Sequence, residues 1–133
     1  MMTPAELRIG NWITVMGSLP SQVTAHFLYM METYTPVDPD DEADYKEMTN
    51  PIPLTGEWLV KLGFKKKIKQ LRSGFFELWI CRHGVKGISL NCYPAGYFLS
   101  SPRRQLKVQY VHQLQNLYYA LTGEELTIKE DQP

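Results

Sequence analysis

Between residues 75 and 100 the chain reads FFELWICRHGVKGISLNCYPAGYFLS, a period-two pattern rich in aromatic and β-branched side chains. Successive side chains of a β-strand point to opposite faces of a sheet, so a pattern of this length commits the segment to extended structure. The glycine-containing HGVKG interrupts it and turns the chain back, which predicts a β-hairpin. The expected inner face carries Phe76, Leu78, Ile80, Ile88 and Leu90; the expected outer face carries Phe75, Trp79, Ser89, Asn91 and Tyr93. A lone hairpin is marginal in water and needs more strands or a helix against it.

The flanking sequence supplies both. LRIGNWITV alternates, with Leu7, Ile9, Ile13 and Val15 on one side, and reads as a strand. A turn in MGSLPS is expected to lead into a second strand in QVTAHFLYMMETY. In PLTGEWLVKLGF, Thr55 is placed to cap a short helix over about 55–63, with Trp58 as a core anchor and Gly63 as its stop. Leu106 and Val108 predict a short strand. From about Tyr110, apolar residues at three- and four-residue steps predict an amphipathic helix to about 122, ended by Gly123 with Leu126 packed beyond it. The fold class is therefore α+β: a curled, mainly antiparallel sheet with one short helix and one longer C-terminal helix. Residues 1–126 are expected to form a single domain and 127–133 a polar tail, a size that suits one core.

Net charge is zero, but the charges are segregated. Residues 1–60 carry a net −7, residues 61–107 a net +10, and residues 108–133 a net −3. Blocks of this kind bear on partners rather than on fold. The acidic block is concentrated in an expected exposed loop over about 35–51, where prolines disfavour regular structure and Asp38, Asp40, Asp41, Glu42 and Asp44 cluster. The spacing lacks the central glycine and terminal glutamate of a calcium loop, so the cluster is read as solvated or as a mimic of nucleic-acid phosphates. The basic block begins with KKKIKQLR. Lys65, Lys66, Lys67, Lys69, Arg72, Arg82, Lys86, Arg103 and Arg104 with Phe75, Trp79 and Tyr93 form the candidate contact surface for a nucleic acid or a protein partner.

Signatures of catalysis are missing from the pattern. His26, His83 and His112 are scattered, and Cys81-Arg82-His83 with Cys92 offers three zinc ligands in neither structural nor catalytic spacing. No phosphate-cradling glycine loop or nucleophile–base arrangement is evident. The expectation is a non-enzymatic protein without cofactor. The opening MMTPAELRIGNW lacks the basic and apolar regions of a secretory signal, and no apolar run is long enough to span a bilayer. Cys81 and Cys92 are accordingly expected as reduced thiols in a cytoplasm, with no membrane partner.

Three stretches, ELRIGNWI, PIPLTGEWLVKLGF and YVHQLQNLYYALTGEEL, together and in this order resemble a family of small uncharacterised proteins encoded by phages and mobile elements of Bacteroidetes-type bacteria. Gly56 stands where the family pattern has an acidic residue, and the acidic loop and KKK run also depart from it. The resemblance implies no catalytic residue. It implies a context, a bacterial host cytoplasm, in which small accessory proteins act on host machinery. The first expectation is an inhibitor of a host defence system, anti-CRISPR or similar, that binds a host protein or ribonucleoprotein. The second is an RNA-, DNA- or nucleotide-binding module, cyclic-nucleotide sequestration included. The third is an assembly component of a phage or mobile element.

Overall fold

The computed structural model describes residues 6–15, 19–33, 49–72, 74–83, 86–99 and 106–128, with the backbone alone at Leu71, Phe75, Phe76, Arg82, His83 and Lys86. The chain is α+β and divides into two compact units, Met1–Pro53 with Tyr110–Asn116, and Leu54–Gln109 with Leu117–Pro133. No described helix is long and apolar enough to cross a membrane.

In the first unit, β1 (Trp12–Val15) lies between β2 (Ser21–Gln22) and β3 (Thr49–Pro51), antiparallel to both. β1 starts later than the alternation of LRIGNWITV predicts. Gly10 takes a φ of 96°, and Asn11 closes a turn in which its Oδ1 accepts from the Arg8 amide at 2.6 Å. Ile9 therefore faces solvent, while Leu7 is buried. The strand expected in QVTAHFLYMMETY is instead helix α1 (Ala25–Thr33). Phe27 and Met31 satisfy a helical spacing as well as an alternating one, whereas Leu28 fits only the helical one. The Thr24 hydroxyl accepts from the Phe27 amide at 3.1 Å, giving the helix the start that decides between the two. Leu7, Ile13, Val23 and Met31 form the core, with Val15, Phe27 and Leu28 against it. The loop expected over 35–51 ends sooner than that: Thr49–Pro51 pairs with β1 as an edge strand, where a proline is tolerated.

Helix α3 (Val111–Thr122) contributes its first six residues to this unit. A buried polar network ties the ELRIGNWI stretch to them. Asn116 Oδ1 accepts from Asn11 Nδ2 at 2.9 Å and from Arg8 Nη1 at 3.2 Å, and its Nδ2 donates to the Glu6 carbonyl. Gln115 accepts from the Trp12 amide at 2.8 Å and donates to the Gly10 carbonyl at 3.1 Å. Asn11 and Gln115 are each only 1% exposed, so these bonds replace water that the groups have lost.

In the second unit, α2 (Gly56–Lys61) starts as expected, with the Thr55 hydroxyl accepting from the Trp58 amide, and Gly63 follows at a φ of 90°. Trp58, Leu59, Leu62 and Phe64 are buried. The chain then runs as an antiparallel meander, β4 (Lys65–Leu71), β5 (Gly74–His83), β6 (Lys86–Tyr93), β7 (Gly96–Leu99) and β8 (Leu106–Val108), adjacent in space in that order. The end of α3 matches expectation: Gly123, at a φ of 76°, donates to the Tyr119 carbonyl, and Leu126 is buried.

The polar network generates a stability prediction. Asn11→Ala removes an acceptor from the Arg8 amide and a donor from Asn116, and should cost about 1–3 kcal/mol in urea unfolding. A change below about 0.5 kcal/mol, the usual range for a surface site, would show the network to be dispensable.

Candidate nucleic-acid interface

The register of the meander assigns every side chain to a face. Lys66, Ile68, Glu77, Trp79, Cys81, Ile88, Leu90, Cys92, Tyr97, Leu99 and Val108 share one face. Trp79, Cys81, Ile88, Leu90 and Val108 on it are buried. The other face carries Lys65, Lys67, Lys69, Leu78, Ile80, Ser89, Asn91, Tyr93, Phe98 and Lys107. None of these is buried. One face is covered and the other is open, the usual economy of an antiparallel sheet.

This register corrects the hairpin pairing expected from sequence. Ile80 lies opposite Ser89 and Leu78 opposite Asn91, whereas Ile88 and Leu90 lie opposite Cys81 and Trp79. Turn length fixes which residues face each other, and an offset of one residue exchanges the two faces. Trp79 is therefore a core residue at 5% exposure and is not available as a stacking ring. A Cβ on Gly56 would stand 3.4 Å from the Trp79 ring, at ordinary van der Waals distance, so the indole packs beside the start of α2. Its Nε1 donates to Glu77 Oε2 at 3.3 Å, and Glu77 also faces Lys66 Nζ at 3.8 Å.

Neither cysteine forms a disulfide; both sit on the covered face, in register with Ile88 and Glu77 respectively rather than with each other. Burial, then the Glu77 charge, pushes the Cys92 thiol up despite a hydrogen bond with Tyr97. Such a thiol is protonated and unreactive at neutral pH. Tyr118 is pushed up to about 12, chiefly by burial and then by Cys81 beside it. Among the described residues no three His, Cys, Asp or Glu side chains are grouped to hold a metal ion.

On the open face the candidate lysines divide by parity. Lys65, Lys67 and Lys69 stand in one row along β4, while Lys66 turns to the covered side and meets Glu77. All four are exposed, because β4 is an edge strand. Lys65 and Lys67 with Gly63 and Ile80 line a cleft of about 230 Å³ at the start of the row. At the far side of the face Tyr93 and Phe98 form a tilted ring pair, centroids 5.8 Å apart at 55°. Phe98 and Lys107 are contact candidates that the sequence reading did not single out. YPAG, which joins Tyr93 to Gly96 through a two-residue turn, was the available signal that a third strand continues the hairpin. Arg72 is exposed just beyond β4. Phe75, Arg82 and Lys86 are placed by backbone only; Arg103, Arg104 and the acidic-loop residues Asp38, Asp40, Asp41, Glu42 and Asp44 lie outside the described residues, as do residues 16–18 of MGSLPS and 84–85 of HGVKG. His26 lies on α1 rather than on a strand.

His112 belongs to the first unit, is 3% exposed, and stacks on Tyr110 at 6.0 Å. Its Nδ1 has no hydrogen-bond partner, and its Nε2 is 4.0 Å from Glu6. Burial holds its pKa below the ordinary value, against the opposing pull of Glu6. It is a neutral packing group rather than a base. No family model, no curated protein and no solved structure matches the chain.

The depressed pKa of His112 has a signed consequence. The unfolded chain takes up this proton near the ordinary histidine value of about 6.5, and the folded chain resists it until lower pH. The contribution of neutral His112 is thus complete above that value and is lost as pH falls toward the folded pKa. The urea midpoint should drop between pH 7.5 and 5.5, and His112→Gln should flatten the drop. Equal slopes in both proteins would show that His112 is not responsible.

Proposed function

We propose that the protein is a non-enzymatic binding module whose open sheet face takes single-stranded nucleic acid. One observation carries this reading: on that face the described residues include Lys65, Lys67, Lys69 and Lys107 and not one carboxylate. Alternate residues on a strand are about 6.6–6.8 Å apart, so the β4 row offers cations at intervals comparable to successive phosphates of an extended strand. A linear polyanion meets such a row in register, and each neutralised phosphate releases condensed counterions. The partly exposed rings of Tyr93 and Phe98 on the same face favour a single strand over a duplex, whose bases hide their faces in the stack. This reading takes precedence over the defence-inhibitor reading because it draws on side chains of defined geometry, whereas the acidic loop lies outside the described residues.

Fluorescence anisotropy with labelled single-stranded DNA and RNA tests it. Affinity should fall at least tenfold between 50 and 200 mM salt. Lys67→Gln should weaken binding to all sequences alike and lower the salt slope by about 0.7, the increment for one single-strand phosphate. Absence of binding at low salt, or a duplex preferred over either single strand, would overturn the reading.

A further inference from the structure

We infer that Asn91, Phe98 and Lys107, with Tyr93 beside them, form one nucleotide subsite on the open face, in which a base stacks on Phe98, Asn91 reads its edge and Lys107 takes its phosphate. The inference rests on the proposed function and adds to it a position and a way of holding a base.

The geometry comes from the register. Asn91 on β6, Phe98 on β7 and Lys107 on β8 are direct cross-strand partners, so they stand in one line across three adjacent strands. Neighbouring strands are about 4.8 Å apart. The line therefore runs from an amide, over a ring, to a cation within about 10 Å, a span comparable to that from the outer edge of a base to its own phosphate. Tyr93 lies at 55° to the Phe98 ring and closes one side, while Leu78, opposite Asn91, supplies an apolar wall on the other. Both rings are partly exposed, so each keeps surface for a base to cover.

The position of Lys107 has its own cause. A Cβ on Gly96 would stand 3.1 Å from Lys107 Cε and 3.9 Å from its Nζ, so the lysine stem crosses the sheet in the space that the glycine leaves. Gly96 is paired with Tyr93, so the end of the exposed Lys107 side chain lies over the start of β7. A side-chain amide presents a donor and an acceptor together, which matches the N6–N7 edge of adenine and equally the N3–H and O4 of thymine or uracil, both open in a single strand. The subsite is thus expected to hold a base by its edge without choosing between adenine and thymine.

Three ligands of equal length separate this inference from the reading beneath it: oligo(dA), oligo(dT) and an abasic oligomer, with oligo(A) and oligo(U) as the ribose arm. The native protein should bind base-bearing strands roughly ten- to a hundredfold more tightly than the abasic one, the range that stacking of one base supplies. Phe98→Leu, which keeps apolar packing and removes the ring, should erase that gap while leaving abasic binding intact. Asn91→Ala should narrow the gap by a similar factor for oligo(dA) and oligo(dT) without erasing it. Circular dichroism and the unfolding midpoint confirm that each variant is folded. Equal affinity for abasic and base-bearing strands overturns the subsite while the charged face stands; no affinity for any of the ligands overturns the face as well. A base gap that Asn91→Ala leaves unchanged removes Asn91 from its role.

Discussion

Everything on the five-stranded sheet depends on the parity of its registers. Pairing Trp79 with Leu90 puts the indole among buried side chains, and the same pairing puts Ile80 beside Ser89 on the open side. Pairing Lys66 with Trp79 then forces Lys65, Lys67 and Lys69 to the open face as a set. A slip of one residue between β4 and β5 would exchange the three lysines for Lys66 and Ile68, which lie on the other side of the same edge strand. The register thus turns a run of cations in the sequence into a row with a direction.

Close contacts hold the covered face in place. Trp79 packs beside Gly56, Glu77 satisfies the indole N–H, and Tyr118 lies against Cys81. In the other unit the equivalent role falls to amides rather than rings. Asn11, Gln115 and Asn116 satisfy backbone groups of residues 6–12 that a turn around Gly10 leaves without strand partners. Two stretches far apart in the sequence, ELRIGNWI and YVHQLQNLYYALTGEEL, are joined by these bonds, so their joint presence has a structural reason whatever the partner.

The sequence disclosed elements better than pairings. The cap at Thr55, the stops at Gly63 and Gly123 and the amphipathic α3 were legible because each depends on a few neighbouring residues. Residues 25–33 were not, since Phe27 and Met31 fit both periods and the deciding bond is a single threonine hydroxyl. Ile9 looked like a strand residue because Gly10 and Asn11, which bend the chain, read equally well as part of an alternating run. The hairpin faces were misassigned for a related reason. Each strand alone shows which residues share a side, but the relative offset is set by the turn. Trp79 thus moved from candidate contact to core, while Phe98 and Lys107 entered the site from strands that the charge pattern did not mark.

Lysines on an edge strand have an ordinary explanation, since they discourage pairing with another sheet edge. That explanation accounts for β4 alone. It places no requirement on which face the charges occupy, and Lys66, spent on Glu77, shows that a lysine of the same strand can be neutralised within the sheet. Nor does it reach Lys107, which lies on the opposite edge strand and is drawn inward over Gly96 instead of outward along the edge. Like charges gathered on one face without a carboxylate among them raise the energy of the folded chain by mutual repulsion. The repulsion is slight in water, about 0.6 kcal/mol for a pair 6.7 Å apart, but it has a fixed sign, and a polyanion laid across the face reverses it. The rings and the amide between the two edges then meet whatever the phosphates bring with them.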